Sequence, residues 1–255
     1  MSEILNGYES IVQTRKHIKS SERYETVETA KIVEVLETKG FQVYQASQSN
    51  VRKQSNVGFQ KHMVWLTYES LRTAEGAPSI VIMNSHNRSS SLKFHIGYVR
   101  WACSNSLVGG ADDSIAIRHS ENWKDKANDF LSSYTDKVAK MNEEHQYMSM
   151  RTLTPIQLRT FLKEAIALRY DIKDILDVNE LNLVRRVEDR GNDMYKTFNR
   201  IQEALLGGMF KRQTHSEVDG NIITSPYSKA KVITDNSKII TINQSLRKLA
   251  LEIAA

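Results

Sequence analysis

Leu92-Lys93-Phe94-His95-Ile96-Gly97-Tyr98-Val99-Arg100 is the stretch on which the fold turns. Leu92, Phe94, Ile96 and Tyr98 recur at every second position, with Lys93 and His95 between them, which is the period of a strand with one buried face. Read as a strand, it sends Lys93 and His95 to the same side as Trp101 and opposite Phe94 and Ile96. The signal repeats upstream: 41–46 alternates apolar with polar, 57–68 is aromatic and β-branched, and Pro78 opens the apolar run 79–83. Downstream, 114–118 contains Ile115-Ala116-Ile117. Parallel pairing needs a crossover of roughly a dozen residues, and the links here are short and turn-rich. The expectation is an antiparallel sheet of about five strands over 41–118.

Helical periods flank the sheet. Ile32, Val35 and Leu36 are three and four apart and Gly40 follows Lys39, which predicts a helix over 28–39. Residues 1–27 carry Arg15, Lys16, Lys19, Arg23 and Tyr24 with little periodicity and read as an arm. From 122 onward Trp123, Ala127, Phe130, Tyr134, Val138 and Met141 mark one long amphipathic helix. Thr154-Pro155-Ile156-Gln157 supplies a cap, a proline at the first helical position and a glutamine able to close a capping box. A short helix is expected at 179–187 and another through Met194, Phe198, Ile201 and Leu205 to Gly207-Gly208. Strands are expected at 230–234 and 239–242, then a last helix from about Asn243. The class is therefore α+β: an arm (1–27), a β-rich core (28–121) and a helical part (122–255) expected on the same core.

Composition narrows the classes. With 255 residues, 40% hydrophobic, 25% charged, 11 Gly, 3 Pro and 1 Cys, the chain is neither collagen-like, nor a disulfide scaffold, nor disordered throughout. Cys103 has no cysteine to pair with, and the opening MSEILNGYES lacks a basic segment followed by an apolar one, so a cytoplasmic protein is expected. The longest clean apolar run, Ile80-Val81-Ile82-Met83, falls far short of the roughly 18–20 residues of a membrane span, so no membrane partner is expected. Thirty-five Lys and Arg against thirty Asp and Glu leave +5, which favours an anionic partner.

The usual catalytic motifs are absent: no phosphate loop, no Gly-x-Gly-x-x-Gly and no Gly-x-Ser-x-Gly. The seven histidines include no pair three or four apart, so neither a metal nor another cofactor is expected. Asp112-Asp113 reads as turn composition, Glu121 and Asp125 as negative charge at a helix start, and Cys103 as a small apolar group beside a strand. The cations are more suggestive. Arg52, Lys53, Lys61 and His62 flank the first hairpin, Arg88, Lys93, His95 and Arg100 lead into Trp101, and Lys211-Arg212 begins a polar, turn-rich segment with His215, Lys229 and Lys231. A strand with cations and an aromatic on an open face can hold a sugar-phosphate chain and stack bases. These residues are the expected nucleic-acid-binding set, and they serve only if that face is open.

Asn84-Ser85-His86-Asn87-Arg88-Ser89-Ser90 and Arg100-Trp101-Ala102-Cys103-Ser104-Asn105 resemble the Asn-Ser-His-Asp-x-Ser and Arg-x-x-Cys-Ser-Asn signatures of a phage/plasmid-like family known as domain of unknown function 932. Residues 198–208 and 242–250 look like its closing helices, and the resemblance covers about 25–253. Asn87 stands where the family tends to have Asp, which speaks against carboxylate chemistry there; Ser106 replaces Gly, and Tyr195 and Arg247 depart in the closing helices. The resemblance makes Asn84, Ser85, His86, Cys103 and Asn105 the motif residues and implies a protein of phages and mobile elements. On this reading the favoured expectation is a non-enzymatic DNA-metabolism protein that binds single-stranded DNA, with an oligomeric Rad52-like annealing protein as its sharpest form. The alternatives are a nucleic-acid-processing enzyme with a site from Asn84–His86 and Cys103–Asn105, or a protein-binding antagonist of host defence. Asn84-Ser85-His86 also reads as a turn fixed by side-chain to backbone hydrogen bonds.

Overall fold

A computed structural model describes residues 3–101, 107–108, 113–120 and 122–255. Cys103, Ser104, Asn105, Asp112 and Glu121, all weighed above, lie outside them. The fold is α+β. It divides into two compact units, one of the described residues up to 139 and one of 140–255. The division falls inside a helix and not at the change of period near 122.

The first unit begins with α1 (Thr29–Thr38), which buries Ile32, Val33 and Leu36. It stops as expected, because Gly40 takes φ 89°, a conformation that costs a residue with a Cβ. Then follow β1 (Phe41–Gln48), β2 (His62–Tyr68), β3 (Gly76–Asn84), β4 (Leu92–Arg100), β5 (Leu107–Val108) and β6 (Ser114–Ile117). All pair antiparallel in the order β1-β2-β3-β4, with β5 and β6 sharing the far edge of β4. Pro78 sits beyond the last β2 partner, Ser79, where β3 has a single neighbour and a missing N–H is tolerated.

One face of the sheet presents Val64, Leu66, Ile80, Ile82, Phe94 and Ile96 to a core shared with α1 and with Ala127, Phe130, Tyr134 and Val138. The segment read as a loose arm joins this core: Leu5, Ile11 and Val27 are fully buried in it. The single long helix expected from 122 is two, α2 (Trp123–Ser132) and α3 (Tyr134–Ser149). Ser132 and Ser133 each turn a hydroxyl back to the carbonyl three residues earlier, Asp129 and Phe130, which competes with the helical ladder at the break.

In the second unit α4 (Pro155–Ala167) opens with the capping box read from the sequence: Thr154 Oγ1 accepts from Gln157 N, and the Gln157 side chain returns to Thr154 N. The short helix expected at 179–187 is a pair of 3-10 turns, Val178–Asn182 and Val187–Asp189. α5 (Met194–Gly207) ends at Gly208, where φ is 62° and a Cβ would collide with the Ala230 carbonyl. Next come β7 (Lys211–Arg212), the hairpin β8 (His215–Val218) and β9 (Asn221–Thr224), and β10 (Ser228–Lys229), which pairs with β7. The strands expected at 230–234 and 239–242 do not form. α6 (Asn236–Ala254) starts early, with the Asp235 side chain accepting Lys238 N, and carries Ile240, Leu246 and Ala250 as its buried stripe. Burial of that stripe outweighs the strand preference of Ile239-Ile240-Thr241-Ile242. Among the described residues no helix is long and apolar enough to cross a membrane.

Candidate functional site

At the end of the sheet where β2 begins and β3 finishes, His62 and Asn84 face one another in register. The Asn84 amide is fully committed. Its Nδ2 donates to Val27 O and Thr29 Oγ1, both at 3.1 Å, and its Oδ1 receives Ser85 N and His119 Nε2, both at 2.8 Å. Thr29 Oγ1 is also 2.8 Å from His62 Nε2, and His62 Nδ1 is 3.2 Å from Gln60 O. A carbonyl can only accept, so Nδ1 of His62 carries the proton and Nε2 receives the threonine hydroxyl. By the same reasoning His119 is protonated at Nε2, and its Nδ1 receives the Tyr24 hydroxyl at 2.6 Å. The donors therefore run in one direction: Tyr24, His119, Asn84, Thr29, His62, Gln60.

The direction requires neutral imidazoles. Burial lowers His62 to about 3, with repulsion from His86 as the next cause, and lowers His119 to about 4, again with His86 opposing a charge. His86 stacks on His62 at 5.4 Å between ring centroids and meets His119 edge-on at 6.4 Å. It has no exposure and neither nitrogen makes a well-formed hydrogen bond; burial holds it near 4 against the weaker opposing pull of the nearby Ser10 backbone and of Glu28. Ser85 and Ser90 bracket the turn after β3, Ser85 Oγ donating to Ser90 O at 3.0 Å and receiving Ser90 N at 2.7 Å. Asn84 and Ser85 thus hold the end of the sheet together, as the turn reading expects, and His86 has no exposed surface. Among the described residues no group of His, Cys, Asp or Glu is placed to hold a metal ion.

Around this buried network lies a basic rim. The β1–β2 loop brings exposed Arg52 and Lys53, the β3–β4 turn brings Arg88, the N-terminal segment brings Arg15, Lys19 and Arg23, and Arg118 follows β6. Tertiary contacts tie the N-terminal segment to the two turns: Arg88 Nη1 donates to Lys19 O at 3.1 Å, Gln13 Nε2 reaches Gly58 O at 3.3 Å, and the His17 ring packs edge-on against Phe59 at 5.0 Å. Among the described residues none of these cations makes an ion pair. The acidic residues of the N-terminal segment are Glu3, Glu9, Glu22, Glu25 and Glu28. Arg88 sits at φ 68°, a strained conformation for an arginine.

The other expected site residues separate. Lys61 is half-buried at the rim. Lys93 is half-buried, while His95 is only 6% exposed and Arg100 7%, so the expected open, cationic sheet face is not present. β4 is an interior strand, and the residues beside it on that face, Met63, Trp65, Val81 and Met83, are buried as well. The sequence held a signal for this: β2 and β3 are apolar on consecutive positions, which marks a sheet buried on both faces. Trp101 packs under Arg72, 4.3 Å from its ring, and donates Nε1 to Thr73 O at 2.9 Å. Lys211 and Arg212 lie in the second unit on β7. Lys19, Arg23, Arg118 and His119 are not distinguished by the sequence, because nothing local marks a cation or histidine that the fold brings to one end; His62, expected beside the first hairpin as part of a cationic set, is instead buried and neutral.

The chain is thus an α+β protein with an antiparallel sheet closed at one end by a neutral histidine network under a basic rim. It belongs to the family described as Domain of unknown function (DUF932), which matches over residues 16–223. Two curated relatives from Escherichia coli (strain K12) are similar over most of their length. The UPF0380 protein YfjQ is 28% identical over 233 residues, 86% of this chain and 85% of that protein. The UPF0380 protein YafZ is 29% identical over 209 residues, 81% of this chain and 76% of that protein. No solved structure matches.

Proposed function

We propose that the basic end of the first unit binds single-stranded nucleic acid through its phosphates. The observation that carries this reading is that contacts join the three segments bearing Arg52-Lys53, Arg88 and Lys19, with no ion pair to any of these cations among the described residues. Like charges brought together in this way repel one another, and a polyanion relieves that cost. The strained backbone of Arg88 supports the reading, since strain is retained where position matters. Phe59 and Tyr24, the aromatics at this end, are engaged by His17 and His119, so phosphates dominate and base preference is small. Homo-oligomeric assembly along the strand belongs to the same proposal.

The test is anisotropy of a labelled single-stranded oligonucleotide across a salt series. Binding should weaken with salt, and each neutralised phosphate contributes about 0.7 to the logarithmic slope. The triple variant Arg52→Ala, Lys53→Ala, Arg88→Ala should lower that slope by about 2 and weaken binding whatever the sequence. A folded protein with no salt-dependent binding, or a triple variant with an unchanged slope, would remove the reading. Particle mass with and without the oligonucleotide reads the assembly.

A further inference from the structure

In the second unit, the chain leaving α4 (Leu168-Arg169-Tyr170) and the segment entering α6 (231–235) enclose a cavity of about 630 Å³, a size suited to a small ligand. Arg169, Lys231 and Lys238 line it, with the hydroxyls of Thr234 and Thr241. Asp235 is the one carboxylate among the described lining residues, and its side chain is already committed to Lys238 N as the α6 cap. Alongside, Tyr170 carries two guanidinium groups, Arg212 at 4.1 Å and Arg169 at 4.9 Å from the ring centroid.

Among the described residues no carboxylate makes an ion pair with these cations, and Asp235, the α6 cap, is the one negative charge in the lining. Arg169 donates to the carbonyls of Leu205 and Lys231, which fix its position without neutralising it. Burial depresses its pKa, and the nearby Arg212 depresses it further, while Tyr170 opposes. Arg212 holds a buried Nε with no hydrogen-bond partner. Among the described residues no carboxylate pairs with Arg212, Lys231 or Lys238. The nearest acids in sequence are spoken for, Asp171 by Lys173 at 3.0 Å and Asp174 by His215 at 2.9 Å.

We propose that this cavity binds a small phosphate-bearing ligand, with Lys231 and Lys238 meeting the phosphate oxygens and Arg169 and Arg212 supplying the surrounding field. Because the Tyr170 ring is already occupied by guanidinium groups, no bare aromatic face is offered to a base, and the phosphates are the part recognised. This site lies in the second unit and does not depend on the oligonucleotide reading of the first.

The experiment is isothermal titration calorimetry of the full chain with inorganic tripolyphosphate and, separately, ATP. Both should bind, within a few-fold of each other, and the double variant Lys231→Gln, Lys238→Gln should weaken both by about tenfold or more. Both lysines are exposed, so the fold should survive; Arg212→Gln is the second variant and should weaken binding in the same direction. Lys248→Gln, on the exposed side of α6 facing Glu252 at 3.7 Å, should change nothing. Absence of heat from either probe, binding that survives the double variant, or ATP binding more than about tenfold tighter than tripolyphosphate would overturn the proposal. The double variant should keep the oligonucleotide salt slope of the parent, so failure here is distinguishable from failure of the first-unit reading.

Discussion

The histidine network of the first unit and the arginine links of the second are both polar and largely buried, yet they meet the cost of burial differently. In the first unit every link from Tyr24 to Gln60 is neutral, and its direction is set by which imidazole nitrogen carries a proton. In the second unit the links are ionised: Arg247 with Glu144, Arg186 with Glu203, and Arg200 held by Asn182, Thr197 and the carbonyls of Asp189 and Gly191. A neutral network fails when a proton is added to it. An ionised one fails when a partner is removed, because the remaining charge has nowhere to go.

Four measurements break or sharpen that contrast. The largest effect belongs to Glu144→Ala, which removes the carboxylate beside the nearly buried Arg247; chemical denaturation should show a loss of about 3–5 kcal/mol. Asn84→Ala comes next. It strands the Val27 carbonyl, the Ser85 N–H and the His119 Nε2–H in the interior, and roughly 3 kcal/mol should be lost, with His62→Gln affecting the same segments in hydrogen exchange.

Acid gives the third. His62, His86 and His119 lie below the ordinary histidine value of 6.5 in the folded state, so between pH 6.5 and about 4 the unfolded chain binds protons that the folded chain refuses. Stability therefore falls as pH drops through that window, by about 1.4 kcal/mol per pH unit for the fully buried His62. Glu28, which favours charge on His86, softens the slope there. Hydrogen exchange at pH 5 should show protection lost around Thr29, His62 and Asn84 before α5; equal loss in both units would contradict the contrast. The smallest effect is that of Arg52→Ala with Lys53→Ala, which should leave stability within about 0.5 kcal/mol while reducing oligonucleotide binding.

Parts of this molecule were legible from local pattern. The alternation from Leu92 to Tyr98 placed β4 and sorted its side chains between two faces, Thr154-Pro155-Ile156-Gln157 placed the start of α4, and Gly40 placed the end of α1. Other parts were not. Alternation says which residues share a side and not whether the side is open, so it leaves the burial of His95 undecided, whereas Arg100 shares the parity of Phe94 and Ile96, the core-facing side. The β-branched Ile239–Ile242 run favours a strand, and only burial against the rest of the unit makes it helix. The arm looked aperiodic because Leu5, Ile11 and Val27 anchor it singly, without a helical or strand repeat.

What the sequence determined by itself is what rests on neighbours a few residues apart: strand period, helix caps, turn chemistry around Ser85 and Ser90, net charge and family. The tertiary structure alone decided which cations converge and which are hidden. It also decided that His62 and His119 join Asn84 in one network, and that Arg169, Arg212, Lys231 and Lys238 share a neighbourhood. The physical reason is range. Periodicity and capping are settled within a turn or a strand, whereas burial, proton position and unbalanced charge depend on groups that the chain brings together across tens of residues.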